Sequence, residues 1–378
     1  MIWLTWRQSH LKAASAAVVL AAFAVLLAVT GPHLASLYAG SKIGSCQGSD
    51  CGGPADDFLQ QLYGSSLSGA SSVDGTGTYW LLYLLGIVII LMAPAVIGIF
   101  WGAPLIAGEF EAGTHYLAWN QSITRTRWLA VKLMLTGLAA MAATEALSLM
   151  QAWWATPISR AVGRGGCCSP IAMNQFSPLV FATHGITPLG YAAFAFALGV
   201  TAGALIRRTI PAMAVTLAIF AALQVAMPLW VRPNLAPPDQ TINPVTSLGN
   251  ALASQTGPGG DSFTLYANSI PGQRGAWLLS SGPVNAAGQA TSTTPAACAS
   301  VGSVGPGTGA NQGASPQGST TGPVAFLGCL ASHGIREAIT YQPASRYWRF
   351  QATETAIYLA LALALAGYCF QRLNRRLS

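Results

Sequence analysis

The sequence predicts an all-α membrane protein with six transmembrane helices, both termini cytoplasmic, and sizeable extracytoplasmic segments. Three observations predict it. Only 8% of the 378 residues are charged, against roughly 25% in a soluble domain, too few to keep a soluble fold of this size wet. The hydrophobic 52% is clustered in runs, as a large core alone would not require. The basic residues are also distributed unequally between the two sides of those runs, as membrane orientation demands.

Residues 1–12 place Ile2, Trp3, Trp6 and His10 on one helical face beside Arg7, which suits a short helix lying in the inner interface. A spanning helix needs about 20 apolar residues. Six runs qualify: 13–30, 79–107, 128–154, 188–206, 210–231 and 352–370. The first follows Arg7 and Lys12 as a secretory signal would. Its run of about 18 residues is long for a signal core, and no small-x-small site follows, so it reads as an uncleaved anchor. With the N-terminus inside, Arg7, Lys12, Arg125, Arg127, Lys132, Arg207, Arg208, Arg372, Arg375 and Arg376 all fall on the cytoplasmic side, ten of the 18 basic residues. They occupy about 50 residues of short segments, and the rest are spread over about 200. Trp80, Trp153, Trp154, Trp230 and Trp348 fall at the outer edges, and Trp6, Trp101 and Trp128 at the inner ones, the interfaces that amphipathic rings favour.

Three segments lie outside: 31–78, 155–187 and 232–351, followed after the last span by a basic cytoplasmic tail, 371–378. The largest could form a small domain. Its middle, 281–324, is a Gly/Ser/Thr/Pro/Ala tract expected to be mobile, because it cannot bury enough apolar surface to offset chain entropy. Cys46, Cys51, Cys167, Cys168, Cys298 and Cys329 are external, and Cys369 is in the last span. An even external count fits disulfides, with 15 connectivities open for six cysteines. Cys298 and Cys329 are the only pair within the largest segment, and joining them would close about 30 residues, a gain of about 3–4 kcal/mol in the entropy model. Pairing of either with Cys167 or Cys168 would instead staple two outer segments. Cys46 and Cys51 lack further ligands at zinc-finger spacing, so no metal site is expected.

The formal net charge is +7. Basic flanks of membrane spans account for it, so no nucleic-acid partner is expected. Lys12, Lys42 and Lys132 are the only lysines, and none follows a glycine, which excludes a phosphate-binding P-loop. His-Glu-x-x-His and Gly-x-Ser-x-Gly motifs are absent as well, so no catalytic residues and no cofactor are expected in this chain.

The cytoplasmic loop 108–127 carries the most information. Glu109 and Glu111 open it, Gly113 and Thr114 suit a turn and a helix cap, Leu117 and Trp119 are apolar, and Arg125, Arg127 and Lys132 lead back into the membrane. The order Glu109-x-Glu111-x-Gly113-Thr114, then a leucine, then Thr124-Arg125, then Lys132 resembles the coupling-helix loop of type-2 ATP-binding-cassette exporter permeases. Ser122 departs from it, standing where the family commonly has proline. The ending, 341–351 with Glu354, an Ala/Leu-rich span and a basic tail, is similar to actinobacterial members. The resemblance implies a permease subunit of an ATP-driven exporter, working as a homodimer or with a similar second permease chain and set in membrane lipid. It also implies a separate cytoplasmic ATPase holding ATP and magnesium, contacted through Glu109, Glu111, Gly113, Thr114, Leu117, Trp119, Arg125 and Lys132. Apolar spans suit a hydrophobic or amphipathic substrate. The alternative is a membrane-anchored receptor or assembly factor with a ligand-binding external domain.

Two acids remain. Glu145 lies well inside a span, where a carboxylate marks a substrate path or a dimer seam, or else a packing hydrogen bond. Glu354 sits near the outer end of the last span beside Arg346 and Arg349, and reads as a member of a local ion pair or as an interfacial anchor.

Overall fold

The computed structural model describes residues 2–46, 51–64, 78–111, 125–165, 173–245, 251–256, 262–267, 270, 273–299 and 321–375. It forms two compact units, Met1–Leu235 with Tyr347–Ser378, and Ala236–Arg346. The first begins with α1 (Ile2–Gly40) and α2 (Gly52–Gly64). Next, α3 (Thr78–Ile97) passes through a π turn (Gly98–Gly102) into α4 (Ala103–Glu111). Then follow α5 (Arg125–Trp154), α6 (Thr156–Gly163), α7 (Pro178–Thr183), α8 (Thr187–Ile206) and α9 (Thr209–Ala226), which ends in a π turn (Met227–Val231). The second unit holds β1 (Asp239–Pro244), β2 (Ala251–Thr256), β3 (Ser262–Ala267), β4 (Trp277–Val284), α10 (Thr321–Ser332) and β5 (Arg336–Gln342), and α11 (Tyr347–Arg375) returns the chain to the first.

Among the described residues, six helices are long and apolar enough to cross a membrane: Ala14–Gly40, Tyr79–Gly108, Ala130–Trp154, Thr187–Ile206, Thr209–Asn234 and Ala344–Arg372. Each expected apolar run overlaps one of them. The start of the chain differs from expectation. Helix α1 is unbroken from Ile2 to Gly40, so no separate helix precedes the first span, and the helix continues past residue 30 through Pro32. Packing sustains the extension. Leu34 and Ile43 are fully buried with Phe58, Leu59 and Leu62 of α2 and Ile158 of α6. Trp154 Nε1 donates to Thr30 Oγ1 at 2.9 Å. Trp154 is therefore a core residue, 2% exposed, while Trp153, Trp230 and Trp348 stay open at 61%, 71% and 63%.

Helix α8 is the hub, with 72% of its apolar window buried against 11% for the first span. Two Gly-x-x-x-Gly pairs, Gly98/Gly102 and Gly199/Gly203, let it cross the α3–α4 span at backbone contact. A methyl at Gly98 would stand 2.7 Å from Ala195 O, and one at Gly102 2.7 Å from Phe196 O. From the other side, a methyl at Gly199 would overlap Gly98 O and one at Gly203 would overlap Ala103 O. Small residues at such crossings replace the hydrophobic drive that lipid removes. The π turn accommodates Pro104, which lacks an N–H and crowds the carbonyl four residues back. Here the Ala103 N–H reaches back five residues to Gly98 O.

The all-α expectation fails in the second unit, which has five strands among its described residues. Strands β1, β5 and β4 form an antiparallel sheet in that order, and β2–β3 form a separate hairpin. In β5 the inward positions Glu337 and Ile339 alternate with less buried ones, the period of a half-buried strand. The tract expected to be mobile is ordered in its first part. Residues 281–284 finish β4, and Ala296–Cys298 form a 3-10 turn. Residues 300–320 lie outside the described residues. Cys298 and Cys329 stand at disulfide distance, Cα–Cα 5.8 Å, against Phe263, Phe326, Leu327 and Leu330. A second pair, Cys46 and Cys51, has Cα–Cα 5.5 Å. The unit's two chain ends are stapled together, with Arg346 binding Asp239 Oδ1 at 2.9 Å and Pro237 O at 2.8 Å, and Gln342 Nε2 donating to Ala236 O at 2.8 Å.

Two predictions follow from this packing. Gly199→Ala should cost about 1–3 kcal/mol, as over-packing does, whereas Gly367→Ala, with nothing within 4 Å, should be silent. Thermal unfolding of the detergent-solubilised protein measures both. The second concerns Glu337, whose Oε1 is buried without a hydrogen-bond partner among the described residues, like Nδ2 of Asn243 opposite it in β1. Burial pushes its carboxyl up to about 7, above the ordinary value of about 4.3. Folding therefore favours the protonated form, and the stability it confers is full below the unfolded value and lost as pH rises through about 7. Hydrogen exchange of the β5 amides, corrected for its intrinsic pH dependence, should show protection falling from about pH 5 to about pH 8. In Glu337→Gln that slope should vanish.

Candidate functional site

Within the first unit, one end of α9 meets α8 and α11 around a buried ion pair. The π turn and the 3-10 turn Arg232–Asn234 swing Arg232 inward. Its Nε donates to Glu354 Oε2 at 2.9 Å and its Nη2 to Glu354 Oε1 at 3.1 Å. Tyr191 OH donates to the same Oε1 at 2.5 Å. Arg232 is 1% exposed, Glu354 0%, Tyr191 1% and Tyr358 0%. The Phe181 ring lies flat under the guanidinium, 3.9 Å from its carbon to the centroid, a desolvated cation–π contact. Nη1 of Arg232 is buried and has no hydrogen-bond partner among the described residues. The pairing corrects the sequence reading of Glu354. Its partner is Arg232, 122 residues away, while Arg346 binds Asp239.

One helical turn along α11, Gln351 joins three elements. Its Nε2 donates to Phe181 O at 3.1 Å and His184 O at 3.0 Å, and its Oε1 accepts from Thr187 N at 3.1 Å and from the Thr187 hydroxyl. Helix α5 adds Thr144, Ser148 and Gln151, all buried, at the i, i+4, i+7 spacing of one face. Ser148 Oγ donates to Thr183 O at 2.9 Å. Glu145 is half-buried on this helix, and its Oε2 is buried with no hydrogen-bond partner among the described residues.

At the opposite end of α9, the turn after α8 is tight. Arg207 takes the left-handed conformation, φ 58°, as the α8 C-cap, a strained position for a non-glycine residue. Glu111, the last residue of α4, fixes this turn. Its Oε1 accepts from Thr209 N at 2.8 Å and its Oε2 from Thr209 Oγ1 at 2.5 Å, so it caps α9 from another span. These bonds, with the nearby Arg208 charge, hold the Glu111 carboxyl below the usual carboxylate range. The clamp therefore holds at neutral pH and releases only as pH falls through that lowered value.

Of the other loop residues read from sequence, Glu109 lies in α4 and Arg125 opens α5. Lys132, in α5, is 7% exposed. Gly113, Thr114, Leu117 and Trp119 lie outside the described residues, as do Cys167 and Cys168. Sequence reading missed Arg232 and Tyr191. The signal for Arg232 was its place just after the fifth apolar run, at the same end of the bundle as Glu354.

A helical bundle with six membrane-length spans, a glycine-packed hub and buried polar ties defines a multi-pass membrane protein. The family profile described as ABC-2 membrane transporter related matches residues 17–232. That is more than half of the chain, and the chain belongs to this family. No curated protein and no solved structure matches it.

Removing one member of a buried ion pair strands the other. Glu354→Gln or Arg232→Met alone should destabilise by about 3–5 kcal/mol, and the double variant Arg232→Met/Glu354→Leu by clearly less than the sum. Unfolding of the four proteins in one detergent measures the coupling, and strictly additive losses would show that the pair does not act as a unit.

Proposed function

We propose that the chain is the membrane-spanning permease subunit of an ATP-driven exporter of the actinobacterial type. It carries a hydrophobic or amphipathic substrate across the bacterial cytoplasmic membrane. The family match over 17–232 is the observation that carries this reading. Both termini are cytoplasmic, on the side of Arg207, Arg208 and Arg372, and the exposed Trp153, Trp230 and Trp348 sit at the outer interface. Two such chains form a homodimer around the path, and two ATPase subunits bind below. Hydrolysis takes place in the ATPase, and this chain supplies no catalytic residue.

The loop at 108–127 receives the ATPase. Glu109 and Glu111 open the docking element, Leu117 and Trp119 give it an apolar anchor, and Gly113 and Thr114 shape its turn. The Glu111–Thr209 clamp supports this reading because it ties the loop to the start of α9. Closure of the ATPases displaces the loop, and the clamp passes that displacement to a second span, the kind of rigid-element motion that switches between two packed arrangements.

The chain purified in mild detergent should bring its ATPase with it. In the reconstituted complex, Glu111→Ala and Gly113→Val should lower substrate-stimulated ATP hydrolysis several-fold with normal insertion. Substitutions within 300–320 should leave it unchanged. Full stimulation in both loop variants, or crosslinks placing the ATPase elsewhere, would overturn the assignment.

A further inference from the structure

The second unit gathers three metal-ligating side chains. Among its described residues, the Sγ atoms of Cys298 and Cys329 and a ring nitrogen of His333 all lie within 4.8 Å of one another. Cys329 and His333 are four residues apart at the end of α10, which puts both side chains over one helical face. The helix stops there because Gly334 turns left-handed, φ 75°. His333 N then bonds back to Cys329 O and Ile335 N to Leu330 O, a helix ending that holds the imidazole beside the sulfur. Cys298 comes from the 3-10 turn Ala296–Cys298, and its side chain is fully buried against Phe263, Phe326 and Leu330.

We infer that, in its dithiol form, this cluster is a Cys₂His site for zinc. The two distances from His333 Nδ1, 3.7 Å to Cys298 Sγ and 3.9 Å to Cys329 Sγ, are close to the roughly 3.6 Å that separates nitrogen from sulfur ligands around tetrahedral zinc. The sulfurs need only part from a covalent distance to roughly 3.8 Å. Two thiolates and an imidazole are the soft and borderline donors zinc prefers. His333 is exposed, so the fourth position opens to water, as in three-ligand sites. One competing bond must break, because Nδ1 also lies 3.0 Å from Cys329 O and 3.2 Å from Ser332 Oγ. Metal binding requires the tautomer with its proton on Nε2.

The chemistry balances in two steps. An external dithiol reduces the Cys298–Cys329 disulfide, becoming a disulfide itself and leaving two thiols. Zn²⁺ then displaces the two thiol protons to solvent and takes the neutral imidazole. The same atoms thus serve either as a covalent staple or as a metal site, and the redox state of the chain selects between them. This inference is independent of the transport reading.

The test uses the full chain in detergent, reduced with a small dithiol that is removed before Zn²⁺ is added, with binding read by competition against a chromophoric chelator. Reduced wild-type protein should take up one Zn²⁺ per chain more than Cys298→Ser, and the oxidised protein should lack that site. Cys46→Ser should leave it intact. His333→Ala, an exposed change that spares the disulfide, should weaken it by more than the roughly 10–100-fold that loss of an outer-shell partner costs. Co²⁺ in place of zinc should give a thiolate charge-transfer band that is lost in Cys298→Ser. Equal zinc uptake by wild type and Cys298→Ser, or an affinity unmoved by His333→Ala, would overturn the proposal.

Discussion

The backbone contact between α8 and the α3–α4 span is the constraint on which the rest of the first unit depends. In lipid, side-chain burial gives helices little reason to associate, so close packing and internal polar bonds must do so. Gly98, Gly102, Gly199 and Gly203 carry no side chain at the crossing, and carbonyls of one helix lie where a Cβ of the other would be. That contact fixes the height and angle of α8, and the remaining spans pack around it. The π turn belongs to the same device, since Gly98–Gly102 both widens the helix for Pro104 and carries two of the four glycines.

Polar groups then tie the outer helices to the hub. A buried charge survives only when paired and hydrogen-bonded, and Glu354 has both through Arg232 and Tyr191. Gln351 does the same with neutral groups, saturating carbonyls where α7 ends and the first amide of α8. Such ties are directional. They set which helix ends stay together, whereas the apolar faces of α1 and α9, with Val18, Val29, Ile210 and Val225 widely exposed, leave the surrounding surface free to meet lipid or another chain.

The spans were legible in the sequence because their signal is compositional: long apolar runs with few charges. What joins them was not. Glu354 has Arg346 and Arg349 as neighbours along the chain, and local reasoning favours them, yet the inward turn after the fifth span delivers Arg232 instead. Thr209 gave no hint that its cap would come from Glu111, 98 residues earlier, because a cap supplied by another helix leaves no local pattern. In the second unit, the low-complexity tract hid β4, whose WLLSSGPV sequence is half small and polar residues. Pairing with β5 supplies the order that its own composition lacks.

These ties give α9 an unusual standing. Only 22% of its span's apolar window is buried, so packing alone holds it loosely. Its two ends are nevertheless pinned by acidic side chains from different helices, Glu111 of α4 at the Thr209 end and Glu354 of α11 at the Arg232 end. Glu111 thus ties α4 to the start of α9, and Glu354 ties the far end of α9 to α11, so three helices are joined through polar contacts at the two ends of one span. The left-handed Arg207 turn lies between α8 and the Glu111-capped start of α9, so the same polar clamp that caps α9 also holds a strained connection in place.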